Sequence, residues 1–156
     1  MLVFDIETVP FKDEEYSDVQ KSYIQKKLSA ALRRDPSLKP EDKVGELKGT
    51  DPYLSKVVCI GLYYPETGQQ LALTNPDEAL ILSAFWDNIR GYNGLFVSYN
   101  GVKFDVPYII RRSIRHGVAP SNKNFMLYTK YDPFPPHFDV LLQLSGGREN
   151  FYSLHE

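Results

Sequence analysis

Two carboxylates occupy alternate positions of FDIETVP, residues 4–10, near the start of the chain. Asp5 and Glu7 interrupt a run of residues that otherwise predicts a buried strand. Burial of an acidic side chain is costly unless the side chain is paired, hydrogen-bonded or bound to metal. A third carboxylate, Asp105, lies in SYNGVKFDVPYII, residues 98–110, where a strand is predicted to turn into a helix. Three carboxylates that converge without histidine or thiolate ligands favour a hard cation such as Mg²⁺ or Mn²⁺.

The composition is that of one globular domain. The chain has 156 residues, of which 42% are hydrophobic and 13% aromatic, and a domain of this size buries roughly 68–70% of its unfolded surface. No stretch approaches the ~18 apolar residues of a membrane span, so we expect no membrane association. The single cysteine, Cys59, excludes an internal disulfide, and we expect a cytoplasmic protein. The net charge of -2 gives no overall attraction to nucleic acid, so such binding requires a local basic face or bound metal.

The predicted elements position these carboxylates on one sheet. The patterns indicate a strand at 1–8, a helix at 13–34, a solvated connection at 36–54, a hairpin at 56–74, a helix beginning at 75–78, a strand at 95–99, a helix at 104–116 and a strand or helix start at 137–145. This order predicts a mixed α/β sheet with helices on its faces. We expect one domain over residues 1–156, with a helical insertion and loop at 13–54. Since ligands gather at strand ends in open α/β sheets, Asp5 and Asp105 are expected to meet there.

FDIET and the downstream YNGVKFDVPYI resemble the first and second motifs of a nuclease family. They are similar to those of the DEDD superfamily of 3′–5′ exonucleases, in the form found in proofreading domains of B-family DNA polymerases and in related stand-alone predicted exonucleases. The resemblance implies an RNase H-like fold and a hydrolase that removes nucleotides from the 3′ end of DNA. It also implies two divalent cations, Mg²⁺ or Mn²⁺, and single-stranded or frayed 3′ ends as substrate.

The resemblance assigns roles to individual positions. Asp5, Glu7 and Asp105 would be catalytic residues and metal ligands. Asp5 would bridge both cations, Glu7 would complete one site, and Asp105 would hold the second cation through water. The implied substrate-binding residues are Thr8, Asn100 and Phe104.

The family's third motif, Tyr-x-x-x-Asp or His-x-x-x-x-Asp on a late helix, is not found. Tyr128 and Asp132 match the first spacing, but the prolines that follow are incompatible with a regular helix. Asp139 resembles a family stretch with a structural or supporting role. Ser153 and Glu156 have the capping-box spacing of a helix start. We therefore expect the third motif on a helix that this chain lacks, an incomplete metal site, weak metal binding and little activity.

Other interpretations stay open at this point. A catalytically weak or inactive nucleic-acid-binding or scaffold domain of the same fold also accounts for the missing motif. A phosphatase strand of the Asp-x-Asp-x-Thr type is a weaker interpretation, because Glu7 stands at its second acidic position. Asp5 and Glu7 are also compatible with the solvent side of an edge strand. Arg111, Arg112 and Arg115 are compatible with a solvated helix face or with phosphate contacts.

Overall fold

A computed structural model of the protein describes residues 1–126 and 136–146. Its strands are β1 (Leu2–Pro10), β2 (Ser55–Tyr64), β3 (Gln69–Thr74), β4 (Phe96–Ser98) and β5 (His137–Asp139). Its helices are α1 (Asp18–Arg34), α2 (Pro40–Thr50), α3 (Glu78–Asn88), α4 (Asp105–His116), α5 (Lys123–Met126) and α6 (Val140–Leu144), with a 3₁₀ turn at Asp13–Glu15. The predictions for Tyr128, Asp132 and the helix start at 153–156 lie outside the described residues. None of the helices described has the length and apolar character needed to cross a membrane.

The strands form one mixed sheet in the order β3-β2-β1-β4-β5. β4 pairs in parallel with both β1 and β5, whereas β2 and β3 form an antiparallel hairpin. Helices connect the parallel strands, as the long crossover between such strands requires. The prediction of an α/β mixed sheet flanked by helices is confirmed, and the architecture is consistent with the RNase H-like class.

The chain divides into two compact units, which are described separately. The first unit comprises Met1–Glu7 and the described residues from Val58 onward. Its core is built on aromatic rings around Phe125, whose centroid lies 5.0 Å from that of Phe85, 5.1 Å from that of Phe4 and 5.3 Å from that of Phe96. The core thus joins β1, β4, α3 and α5.

β1 has the alternation of a strand with one buried face. Leu2, Phe4 and Ile6 are buried, while Asp5 and Glu7 are exposed on the opposite face. The prediction that these two carboxylates lie within a buried strand was therefore wrong. The alternative interpretation is correct in placing them on a solvent-facing side but wrong in placing them on an edge strand, because β1 lies between β2 and β4 in the sheet.

The second unit, Thr8–Val57, contains the predicted insertion at 13–54. Its small core consists of Tyr16, Ile24 and Leu54, and the Tyr16 hydroxyl donates to the Leu54 carbonyl at 2.8 Å. The assignment of 36–54 to a solvated connection was wrong, because α2 occupies much of that range. Pro40 stands at the start of α2, where a missing N–H costs no helical hydrogen bond.

The structure defines the start of the helix predicted at 75–78. The N-cap is Asp77, whose side chain accepts the Ala79 N–H, while Asn75 accepts the Asp77 N–H. Leu80, in the first turn of the helix, is 55% exposed. The helix begins at Glu78, the end of the predicted range.

Candidate active site

A hydrogen bond joins the two predicted motifs. Asp105 is the first residue of α4, and its Oδ1 accepts the Ile6 N–H of β1 at 3.0 Å. Ile6 lies between Asp5 and Glu7 in the sequence, so the contact brings the Asp105 carboxylate to the segment that carries both other acids. The Asp105 side chain is 2% exposed. The predicted meeting of the two motifs is observed.

The electrostatics of Asp105 are unfavourable to its charged form. Burial, followed by the negative charge of Asp5, raises the pKa of Asp105 to about 7, although backbone hydrogen bonds to its carboxylate act in the opposite direction. Partial burial and the adjacent Glu7 also raise the pKa of Asp5. The carboxylates therefore repel each other at a place where little solvent screens one of them. A bound cation would relieve this repulsion.

Asp139 holds the loop that leads from β4 into α4. Its Oδ1 accepts the Asn100 N–H at 2.9 Å, and its Oδ2 accepts the Val102 N–H at 3.0 Å. The same carboxylate caps α6 by accepting the Leu142 N–H at 3.3 Å. Asp139 is 1% exposed. A structural or supporting role was expected for Asp139. In the structure, it accepts two backbone hydrogen bonds from the loop before Asp105.

Gly101 is required in this loop because a side chain would collide with β4. A Cβ added at Gly101 would lie 2.2 Å from Oγ and 2.5 Å from Cβ of Ser98.

Ser98 is itself held by a 2.6 Å hydrogen bond between its Oγ and Nε2 of His137. Burial lowers the pKa of His137 to about 4, so its ring is neutral at physiological pH. The Ser98 and His137 pair was not predicted from the sequence. The only indication of it there is one polar residue in each of two short apolar strands.

The three predicted substrate-binding residues lie in different settings. Asn100 adopts a φ of 61°, in the left-handed region that asparagine tolerates better than most residues. Its Oδ1 is buried and has no hydrogen-bond partner among the described residues. Phe104 is half-buried, with its ring centroid 5.4 Å from that of Tyr108. Thr8 belongs to the second unit, where its hydroxyl donates to the Gly49 carbonyl at 2.7 Å. Contact of all three with substrate stays a prediction.

The arginines of α4 do not form one surface. Arg112 is 2% exposed, and its guanidinium binds the buried Glu78 carboxylate through Nε at 2.8 Å and through Nη2. His116 Nε2 lies 2.8 Å from the same carboxylate. Both interpretations of Arg112, as a solvated residue and as a phosphate contact, were wrong. Arg111 and Arg115 are exposed.

The donor set fits a hard cation in its chemistry. Asp5, Glu7 and Asp105 offer only carboxylate oxygens, the ligands that Mg²⁺ and Mn²⁺ prefer, and the raised pKa of Asp105 reflects negative charge that a cation would compensate. Within residues 1–126 and 136–146, no group of three or more histidine, cysteine, aspartate or glutamate side chains is arranged to hold a metal ion. Metal ligation by these three residues stays a prediction.

Comparison with known protein families gives one match. The sequence model of a family described as predicted 3′-5′ exonucleases related to the exonuclease domain of PolB matches residues 53–131, just over half of the chain. The matched range includes Asn100, Phe104 and Asp105, and it does not include Asp5 or Glu7. No curated protein matches the chain.

Proposed function

Because this chain belongs to the family of predicted 3′-5′ exonucleases related to the exonuclease domain of PolB, we propose that it hydrolyses phosphodiester bonds from the 3′ end of DNA with two divalent cations as cofactors. The proposed substrate is a single strand or a frayed 3′ end. The observation that carries the proposal is the 3.0 Å hydrogen bond from the Ile6 N–H to Asp105 Oδ1, which joins the two carboxylate motifs.

The proposed roles follow from the surroundings of each side chain. Asp5, Glu7 and Asp105 would hold the cations, which when bound activate an attacking water and stabilise the leaving 3′ oxygen. The Ile6 N–H keeps the Asp105 carboxylate in one orientation. Because the pKa of Asp105 is about 7, a cation competes with a proton for this carboxylate. Cation affinity should therefore increase as the pH rises to about 8.

Phe104 is the proposed contact for a base of the substrate. One side of its ring packs near Tyr108, and the residue remains partly exposed. Stacking of a base on an aromatic side chain contributes ~1–3 kcal/mol in single-strand binders. Stacking of this kind does not depend on base identity, which suits an enzyme that removes successive nucleotides.

Calorimetric titration with Mn²⁺ at pH 8 tests the metal site directly. We expect weak binding by the chain and its loss in Asp105→Asn, which removes one ligand charge while keeping the side-chain shape. Asp87→Asn is the matched control, because Asp87 is an exposed carboxylate that forms an ion pair with the exposed Arg90. Equal Mn²⁺ affinity of Asp105→Asn and the unsubstituted chain would refute the ligand assignment.

Cleavage is measured separately with a 5′-labelled single-stranded oligonucleotide. The protein is kept in excess over DNA, so that slow turnover is still detected, and Mg²⁺ or Mn²⁺ is supplied. We expect stepwise shortening from the 3′ end that disappears in Asp5→Asn and persists in Asp87→Asn. Cleavage that persists in Asp5→Asn refutes the proposed mechanism. DNA binding without any shortening favours the alternative function, a catalytically inactive nucleic-acid-binding domain.

A further inference from the structure

The outer surface of α1 carries an unusual concentration of positive charge. The helix contains five basic residues and one acidic residue, Asp18, within a chain whose net charge is -2. The basic residues are Lys21, Lys26, Lys27, Arg33 and Arg34. We propose that the exposed stripe formed by Ser22, Lys26, Ser29 and Arg33 binds the phosphate backbone of a nucleic-acid strand. The inference rests on the proposed function in taking DNA as the polyanion.

The spacing of these residues places them on one line along the helix. Steps of four, three and four residues at 3.6 residues per turn keep Ser22, Lys26, Ser29 and Arg33 within roughly 60° of one another. Lys26 and Arg33 are seven residues apart, which is about 10 Å along the helix axis at ~1.5 Å per residue. All four side chains are exposed. Two cations at this separation can reach different phosphates of one strand. The Ser29 hydroxyl adds a hydrogen-bond donor between them, and Ser22 adds one before Lys26.

The stripe is free to bind because α1 packs through its opposite side. Gln20 and Ile24 are buried there, Ile24 in the core of the second unit. The Gln20 amide donates to the Tyr53 carbonyl at 2.7 Å. These contacts hold the helix in place without using the cations of the stripe.

Folding of the helix does not explain the cation in its middle, Lys26. Neighbours at three or four residues are the ones that form stabilising ion pairs on a helix. Around Lys26 these positions are Ser22, Tyr23, Ser29 and Ala30, so no acidic partner is present. Favourable interaction with the helix dipole accounts for Arg33 in the last turn, but not for Lys26 in the middle. By contrast, Lys43 on α2 has such a partner, Glu46, at 2.6 Å.

The chemistry of the stripe favours nucleic acid over an anionic membrane. A helix that lies on a membrane combines its cations with large apolar side chains that enter the lipid. The stripe contains only serine, lysine and arginine. Ile24 is buried and Leu28 is half-buried on the protein side of α1, and Val19, which precedes the stripe, is the one large apolar side chain of the helix that is exposed. Cations and hydroxyls without apolar side chains match a phosphate backbone.

The test measures binding of 5′-fluorescein-labelled oligo(dT) by fluorescence anisotropy, with EDTA present so that divalent cations contribute nothing. Lys26→Ala combined with Arg33→Ala removes both cations, and alanine favours the helix. Each lost phosphate contact on a single strand lowers the slope of log affinity against log salt by ~0.7, so the slope should fall by about 1.4. At ~0.1 M salt this corresponds to roughly 25-fold weaker binding.

The control variant removes two positive charges at positions outside the stripe. Lys39 and Lys123 are exposed and lie outside the stripe, so Lys39→Ala combined with Lys123→Ala should leave the slope within a few tenths of the original. Equal slopes and affinities for the stripe variant and the unsubstituted chain overturn the inference. So does a stripe-dependent affinity for phosphatidylserine vesicles in the absence of oligo(dT) binding.

The outcome separates this inference from the proposed activity. Loss of binding in the stripe variant, with no cleavage by the unsubstituted chain in Mn²⁺, supports the stripe and contradicts the exonuclease activity. Unchanged binding in the stripe variant, with cleavage that depends on Asp5, contradicts the stripe and supports the activity.

Discussion

Replacement of Asp105 by asparagine should stabilise the protein at alkaline pH while removing its metal affinity. The side chain is 2% exposed, and its carboxylate accepts the Ile6 N–H. Asparagine retains an oxygen that can accept this hydrogen bond. It removes the charge that burial and the nearby Asp5 make unfavourable.

The size of the effect follows from the pKa of Asp105, which is raised from 3.8 to about 7. The folded protein therefore retains this proton over a pH range in which the unfolded chain has released it. Stability falls as the pH rises from about 4 to about 7 and is lowest above that range. At about 1.4 kcal/mol per pH unit, the complete penalty is roughly 4 kcal/mol. Asp105→Asn should be more stable by up to that amount at pH 8.5 and nearly unchanged at pH 4.

Urea unfolding in EDTA measures this difference. Trp86 is the only tryptophan and is 1% exposed, so its fluorescence reports unfolding of the first unit. The difference in free energy of unfolding between Asp105→Asn and the unsubstituted chain is measured from pH 4 to pH 8.5. Asp87→Asn serves as the control and should show no such trend. Addition of Mn²⁺ at pH 8.5 should then stabilise the unsubstituted chain and Asp87→Asn but not Asp105→Asn, because only a state that binds ligand is stabilised by it.

Two results would refute this reasoning. A stability difference that does not vary with pH would show that Asp105 carries no raised pKa in the folded protein. A lower stability of Asp105→Asn at pH 8.5 would show that its negative charge is compensated by groups other than a bound cation. Either result would contradict the inference that the negative charge of Asp105 is unfavourable until a cation binds.

Two further predictions concern the loop before α4. Gly101→Ala should cost about 1–3 kcal/mol by overpacking against Ser98, as measured by urea unfolding. The cost of Gly101→Ala should persist in a Ser98→Ala background, because the 2.5 Å approach to the Cβ remains, and should largely disappear in a Ser98→Gly background; an equal cost in all three backgrounds would contradict the collision. Asp139→Ala should leave the Asn100 and Val102 N–H groups without their acceptors, at a cost of about 1–3 kcal/mol for each that stays buried. Hydrogen exchange at these two amides should accelerate, and unchanged protection would show that Asp139 does not hold the loop.

The secondary structure was predictable where local chemistry and tertiary packing agree. The hairpin is the clearest case, since a run rich in β-branched and aromatic residues leads into a turn that contains Gly68, whose φ is 70°. The end of α4 is another, because Gly117 adopts the left-handed conformation of a helix C-cap. The prediction failed for α2, because the prolines and charged residues in and around it are also typical of a loop. Pro40 in fact begins the helix, and its acidic first turn suits the helix dipole.

The proximity of the two motifs was predictable from the sequence, but the energetics of the site were not. The order of the predicted elements indicated that the segments of Asp5 and Asp105 would meet, and the Ile6 N–H contact with Asp105 joins those segments. That order could not indicate that Asp105 is buried while Asp5 is exposed, because that difference depends on how α4 packs onto the sheet. Nor could it reveal the Arg112 pair with Glu78, whose partners are separated by 34 positions and belong to different helices.

The contrast between two buried acids explains why Asp105 is the residue to associate with function. Glu78 and Asp105 are both nearly inaccessible to solvent. Glu78 has the guanidinium of Arg112 as a permanent counter-charge, which is the usual condition for burying a carboxylate. Asp105 has backbone N–H donors and lies near the negative charges of Asp5 and Asp139, but it has no such counter-charge among the causes of its raised pKa. Folding alone would favour a neutral residue at that position, so the carboxylate there supports the proposed divalent cations.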